Sequence, residues 1–222
     1  MTVITIDGPA GSGKSTVSRL LAERLGYVYL DTGAMYRAVA LVAKENDISV
    51  DDEAEMGRLC RFIDLSFNLD QDPPRLFYNG ADISKRIRTP EIDMLASNVS
   101  AVKTVRYEMR RLQRQIAKDI DVVAEGRDMG TEVFPSAMYK FFLTASIDVR
   151  SKRRYAERLN RGETVSLEDV KKEMEKRDSQ DQMRAVAPLR PAEDAKIIDS
   201  SLLTPDKVIE EMIRYIDAAD PI

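Results

Sequence analysis

Short apolar runs alternate with amphipathic stretches along the chain. Val3 to Ile6 is a β-branched run that closes on Asp7, and after a Gly-rich turn Thr16 to Leu25 carries Val17, Leu20, Leu21 and Leu25 at helical spacing. Gly26 ends that helix, Tyr27 to Leu30 reads as a second buried strand and Ala34 to Lys44 as a second helix. Val122 to Ala124, Lys140 to Leu143 and Lys196 to Ile198 are further strand-like runs with helical patterns between them. Alternation of this kind predicts an α/β fold, a parallel sheet covered by helices on both faces.

Two segments break the rhythm. Between Leu65 and Ile83 apolar residues alternate (Leu65, Phe67, Leu69, then Leu76, Tyr78) around an Asp72-Pro73-Pro74 turn and an Asn79-Gly80 turn, which predicts a small antiparallel meander inserted as a satellite lobe at about 62–90. Arg153 to Leu167 is strongly polar, with Gly162 breaking a helix, and is expected to be a mobile segment. The chain has 222 residues and no internal repeat, so it reads as a single domain, 1–222, carrying these two inserts.

Composition narrows the chemistry. With 43% hydrophobic and 32% charged residues the chain is not disordered. Histidine is absent, which excludes Ser-His and Cys-His nucleophiles and His-ligated metal sites. Cys60 is the one cysteine, so it forms no internal disulfide and reads as a small buried hydrophobe in a reducing compartment. The opening MTVITIDG lacks the basic start and long apolar run of a signal peptide, and no stretch is long enough to span a bilayer; a cytoplasmic protein is expected. A net charge of −4 argues against general nucleic-acid binding. That sum hides segregation: 103–118 carries six cations against Glu108, and 150–161 six against Glu157, a pattern that suits a small anionic substrate or a solvated helix face.

Between the first strand and its helix lies Gly8-Pro9-Ala10-Gly11-Ser12-Gly13-Lys14-Ser15, a full match to the phosphate-binding P-loop, followed by Thr16. Its glycines let successive backbone N–H groups turn around phosphate oxygens, the helix N-terminus adds positive charge, Lys14 reaches the outer phosphates and the Ser15 hydroxyl serves Mg²⁺. A nucleoside triphosphate is implied. With histidine missing, phosphoryl transfer is the compatible chemistry, because positioning and charge neutralisation do nearly all of its catalysis.

Three further constellations bear on the acceptor. Asp31-Thr32-Gly33-Ala34-Met35-Tyr36-Arg37 follows the second strand, where Thr32, Arg37 and a helix N-terminus hold a monophosphate or simply cap a helix. Glu125-Gly126-Arg127-Asp128-Met129-Gly130 follows the third strand: Glu125 suits Mg²⁺ or its waters, Arg127 a phosphate and Asp128 a hydrogen-bond donor, against the alternative of a surface ion pair. Arg177, Asp181 and Arg184, spaced i, i+4, i+7, share one predicted helix face, as do Arg106 and Arg110 on a helix whose apolar stripe is Val105, Met109, Leu112 and Ile116. Each is either a salt-bridged face or a nucleotide cradle.

Together GPAGSGKS, DTGAMYR, EGRDMGTEVFP and KRDSQDQMRAVAPL, in this order, make the chain resemble the bacterial cytidylate kinases of the nucleoside monophosphate kinase group. The resemblance spans essentially the whole chain, inserted lobe included. It implies an adenylate-kinase-like core with a five-stranded parallel sheet, a monophosphate-binding lobe and a short helical lid at 153–167. It also implies transfer of the ATP γ-phosphoryl group to CMP or dCMP with Mg²⁺, by a monomer that binds neither nucleic acid nor membrane. Carried over by motif, Thr32, Tyr36, Arg37 and Arg127 surround the CMP phosphate and sugar; Ser97, Arg106, Asp128 and Arg184 the cytosine; Arg177 and Asp181 the pentose. Arg154, Arg158 and Arg161 belong to the lid, with Lys14, Arg127 and Arg158 as the catalytic cations. Where some relatives carry Ser and Asp, this chain has Thr32 and Glu125. The alternative is a P-loop kinase for another nucleoside monophosphate or a small non-nucleotide metabolite.

Overall fold

The computed structural model describes residues 1–68 and 74–219. The larger sheet has five strands in the order β2-β6-β1-β7-β8, made by β1 (Val3–Asp7), β2 (Val28–Asp31), β6 (Val122–Gly126), β7 (Tyr139–Thr144) and β8 (Lys196–Asp199). β1 runs parallel to both β6 and β7, and β7 parallel to β8. The parallel α/β expectation is met. Because such strands are buried on both faces, β6 has no exposed position along its length.

The chain divides into two compact units, one of 28–121 with Met1, the other of 2–27 with 122–222. In the second, α1 (Lys14–Leu25) packs on β1 and β6 over a core of Ile4, Ile6, Leu21, Phe141 and Leu143. It also holds α6 (Ile147–Asn160), α7 (Leu167–Met183) and α8 (Pro205–Ala219). α1 begins two residues earlier than its apolar spacing suggests, because Gly13 in the left-handed region (φ 93°) turns the chain directly into the helix, and Gly26 (φ 69°) closes it.

The first unit holds α2 (Thr32–Glu45), α3 (Glu53–Phe62), α4 (Pro90–Val99) and α5 (Lys103–Ile116), packed around Met35, Val39, Met56, Val105 and Met109. It also carries the three-stranded antiparallel sheet of β3 (Leu65–Asn68), β4 (Arg75–Tyr78) and β5 (Ala81–Asp82), the meander the alternation predicts. Asn79 (φ 47°) and Gly80 (φ 76°) are both left-handed, the geometry of the tight hairpin turn that matches strand twist. Leu69 and the Asp72 and Pro73 of the other expected turn lie outside the described residues. The apolar stripe expected on α5 is displaced: its buried face is Val105, Arg106, Glu108, Met109 and Gln113, with Leu112 and Ile116 only half-buried. Glu108 tolerates burial because Arg61 and Arg111 pair with it. Cys60 is buried as expected, and burial beside Glu108 pushes its thiol up to about 12.

One buried carboxylate fastens the strand ends of the second unit. Asp7, closing β1, accepts from the backbone N–H groups of Met129 (2.9 Å) and Gly130 (2.8 Å), residues 122 and 123 positions away. Those donors open a single π-helical turn, Met129–Val133, which no periodicity in the sequence announces. Burial raises the Asp7 carboxyl to about 7 from an ordinary 3.8, Asp128 adding to the rise while both N–H groups and Lys14 oppose it.

Two predictions follow from this packing. A Cβ on Gly8 would lie 2.0 Å from the Leu143 carbonyl oxygen at a φ of +149°, whereas one on Gly26 meets nothing within 4 Å. Denaturant titration should find Gly8→Ala destabilised by more than about 2 kcal/mol and Gly26→Ala by about 1 kcal/mol. An acid that keeps its proton longer when folded makes the folded state lose ground as pH rises from the unfolded value toward the folded one. Asp7 therefore lowers stability between pH 3.8 and about 7, a window in which no histidine titrates. Unfolding free energies measured across it should show Asp7→Asn gaining on the wild type as pH rises.

Candidate functional site

The P-loop joins β1 to α1, and its shape is held from outside. Gly11 and Gly13 are left-handed (φ 74° and 93°), the backbone pattern that gathers successive N–H groups on the inside of a loop. Its carbonyls are engaged elsewhere. Arg150 on α6 donates to the Ala10 oxygen at 3.1 Å, and Arg153 and the Ser200 hydroxyl donate to the Ser12 oxygen at 3.4 and 2.8 Å. Arg153 also donates to the Ser200 hydroxyl and carbonyl at 3.1 and 2.7 Å. Arg150 further pairs with Asp178 on α7 at 2.7 Å.

Lys14 is buried, and its ammonium donates to the Pro9 carbonyl at 2.7 Å and to the Ser12 hydroxyl at 3.4 Å. Burial, then the cation of Arg127, pulls it well below the ordinary lysine range; Glu125 and Asp7 oppose the shift and Arg177 adds to it. Lys14, Glu125, Arg127 and Arg177 thus share one electrostatic neighbourhood with Asp7, and Asp128 is buried beside it. Ser15 and Thr16, next on α1, are exposed.

Asp181 organises the neighbouring arginines. Its carboxylate accepts from Arg127 at 3.0 Å and lies 3.8 Å from Arg184. Burial alone would raise its pKa, but Arg127, Arg177 and Arg184 together hold it below the usual carboxylate range. The single helix face expected for Arg177, Asp181 and Arg184 needs correcting: α7 stops at Met183, and Arg184 leaves it with an extended ψ of 135°. The cluster survives because Arg184 still turns back toward Asp181.

The first unit holds the remaining candidates. Asp31 caps α2 through the Ala34 N–H at 2.8 Å and pairs with Arg37 at 2.9 Å, while Thr32, the first helical residue, is buried. The helix-cap reading is met, and the capping carboxylate also holds an arginine. The Arg106 guanidinium stands 5.6 Å from the Tyr36 ring centroid and donates to the Ser100 carbonyl at 3.1 Å. The Ser100 hydroxyl in turn donates to the Ser97 carbonyl at 2.8 Å, so Tyr36, Arg106 and Ser97 belong to one connected group.

The three arginines expected of a lid are engaged locally. Arg154 pairs with Glu157 at 2.9 Å, Arg158 with Glu163 and Glu173 at 2.7 and 2.6 Å, and Arg161 with Glu157. Arg154 and Arg158 lie on α6, and Arg161 caps its C-terminal end, still paired with Glu157 one turn back; Gly162 (φ 78°) follows. Arg150, Arg153 and Ser200, which hold the loop, were not among the sequence candidates. The basic run at 150–154 was the signal for the two arginines, and Ser200 had none.

Known proteins resemble this chain at two levels. In fold, a shikimate kinase from Acinetobacter baumannii solved in complex with shikimate superposes with a TM-score of 0.51 at 13% identity, covering all of this chain and 96% of its own. An uncharacterized protein from Eubacterium ventriosum gives 0.52 at 16%, covering 98% of this chain and 99% of its own. In sequence, the cytidylate kinase of Geobacter sp. (strain M21) is 48% identical over 214 residues, 96% of this chain and 92% of that one. That of Syntrophotalea carbinolica is 49% identical over 96% and 91%, and that of Vibrio cholerae 43% over 97% and 96%. The family model for cytidylate kinase matches residues 4–218. The P-loop and the arginine clusters around Asp31 and Asp181 accordingly sit in a chain that belongs to the cytidylate kinase family.

Proposed function

We propose that the chain transfers the γ-phosphoryl group of ATP to CMP or dCMP, giving ADP and CDP or dCDP. The observation that carries this reading is the buried Lys14 at the root of the P-loop, sharing its surroundings with Arg127, Arg177 and the Asp181 cluster. A lysine whose charge is disfavoured by burial and by neighbouring cations is matched to a polyanion, which opposes both effects. The N–H groups of Gly11 to Ser15 and the Lys14 ammonium hold the outer phosphates. Thr32, Tyr36, Arg37 and Arg127 take the acceptor phosphate and sugar, and Arg177 and Asp181 the pentose. Ser97, Arg106, Asp128 and Arg184 take the base: cytosine presents an amine donor beside ring acceptors, which a carboxylate flanked by arginines complements. The acceptor phosphate oxygen is already anionic near neutral pH and attacks in line without a general base. Arg154, Arg158 and Arg161 close over the transferring group and exclude water.

Mg²⁺ fits the donors present. Ser15 offers an exposed hydroxyl oxygen and Glu125 a buried carboxylate, while among the described residues no group of three His, Cys, Asp or Glu converges. A hard dication that keeps waters and draws on substrate phosphates suits so few protein oxygens. When bound it neutralises charge on the β and γ phosphates; Ser15 would hold it, with Glu125 acting through water. No helix among the described residues is long and apolar enough to cross a membrane. A cytoplasmic monomer acting on small nucleotides completes the reading.

The direct assay offers ATP and Mg²⁺ with CMP, dCMP, UMP, AMP or a small non-nucleotide alcohol, and quantifies each phosphorylated product; CDP and dCDP should dominate, and product from the alcohol alone would replace this reading. Lys14→Ala should lower kcat by about 10³-fold or more with the circular-dichroism spectrum unchanged. Asp128→Ala should cut the CMP over UMP preference in kcat/KM by roughly 10²-fold or more, with KM for ATP little altered.

A further inference from the structure

The inserted lobe meets the start of α2 around the Asp31 carboxylate. Asp31 caps α2 with Oδ1, and its Oδ2 accepts from two guanidiniums, Arg37 at 2.9 Å and Arg88 at 3.4 Å. Arg88 lies in the segment that leads from the three-stranded sheet to α4, and it is 48% exposed against 11% for Asp31. Asp31 and Arg88 also line a cavity with Phe67 and Leu76 from β3 and β4, so the lobe and the start of α2 meet around this carboxylate.

The charges define a conflict. Arg37 is the cation best placed on α2 to meet an acceptor phosphate, yet the carboxylate that orients it also competes with that phosphate for its donors. A second guanidinium on the same oxygen resolves the conflict, because it leaves the trio with a net charge of +1 and keeps Asp31 paired when Arg37 turns toward an anion. A buried carboxylate stripped of its partner would be costly.

We propose that Arg88 is a positioning residue for acceptor binding: it holds Asp31 from the lobe side, so that Arg37 is oriented by Asp31 but can give its donors to the acceptor phosphate. This rests on the CMP kinase reading above. It assigns the lobe a role through charge sharing with Asp31, without Arg88 touching the nucleotide.

Steady-state kinetics on the full-length wild type, Arg88→Ala, Arg88→Lys, Asp31→Asn and the Asp31→Asn/Arg88→Ala double variant decide the matter, with CMP varied at saturating ATP and the reverse. Asn keeps the helix cap but carries no charge. Arg88→Ala should raise KM for CMP about tenfold, with kcat and KM for ATP within about twofold, and Arg88→Lys should recover part of the loss. In the Asp31→Asn background, removing Arg88 should change KM for CMP by less than about twofold. An unaltered KM in Arg88→Ala, or a parallel loss in kcat and ATP affinity, overturns the proposal. So does a full effect persisting without the Asp31 charge, which would make Arg88 a direct ligand. Wild-type turnover of CMP separates these failures from failure of the underlying reading; its absence removes both.

Discussion

A cation buried among other cations is the constraint around which this molecule is organised. Lys14 is 6% exposed and shares its surroundings with Arg127 and Arg177, a concentration of like charge that Asp7 and Glu125 offset only in part. Such a centre is suited to the arrival of a polyanion, which offsets the like charge. The architecture of the loop follows from it. The Pro9 carbonyl accepts from the Lys14 ammonium, while the carbonyls of Ala10 and Ser12 are taken up by Arg150, Arg153 and Ser200.

The same logic governs the arginines proposed for the acceptor. In each unit one buried carboxylate fixes several guanidiniums and leaves the group net positive: Asp181 with Arg127, Arg177 and Arg184, Asp31 with Arg37 and Arg88. Fixing planar donors in advance reduces the ordering cost of binding an anion. It also explains why acidic residues recur within motifs whose ligand is itself negatively charged.

How much of this was legible in the sequence depends on the range of the interaction. Strand, loop and helix at 3–25 were readable because their signals are local: β-branched residues, glycines that must turn left-handed, and apolar spacing of three and four. The Asn79-Gly80 hairpin was readable for the same reason. The clusters around Asp31 and Asp181 were half-readable, since Arg37 and Arg184 lie within seven residues of their carboxylates while Arg127 and Arg88 arrive from 54 and 57 residues away. What stayed hidden was long-range or aperiodic. The π-helical turn has no repeat to betray it. Asp7 finds its partners more than 120 residues on. The α5 stripe was misassigned because Gln113 and Glu108 look like surface residues until the rest of the first unit covers them.

The Ser200 contact has a consequence for how the protein comes into being. The hydroxyl that steadies the Ser12 carbonyl of the phosphate loop lies 188 residues further along the chain. The complete glycine-rich motif is therefore synthesised well before the clasp that shapes it, so the loop's final form is a product of tertiary folding and not of its own sequence alone.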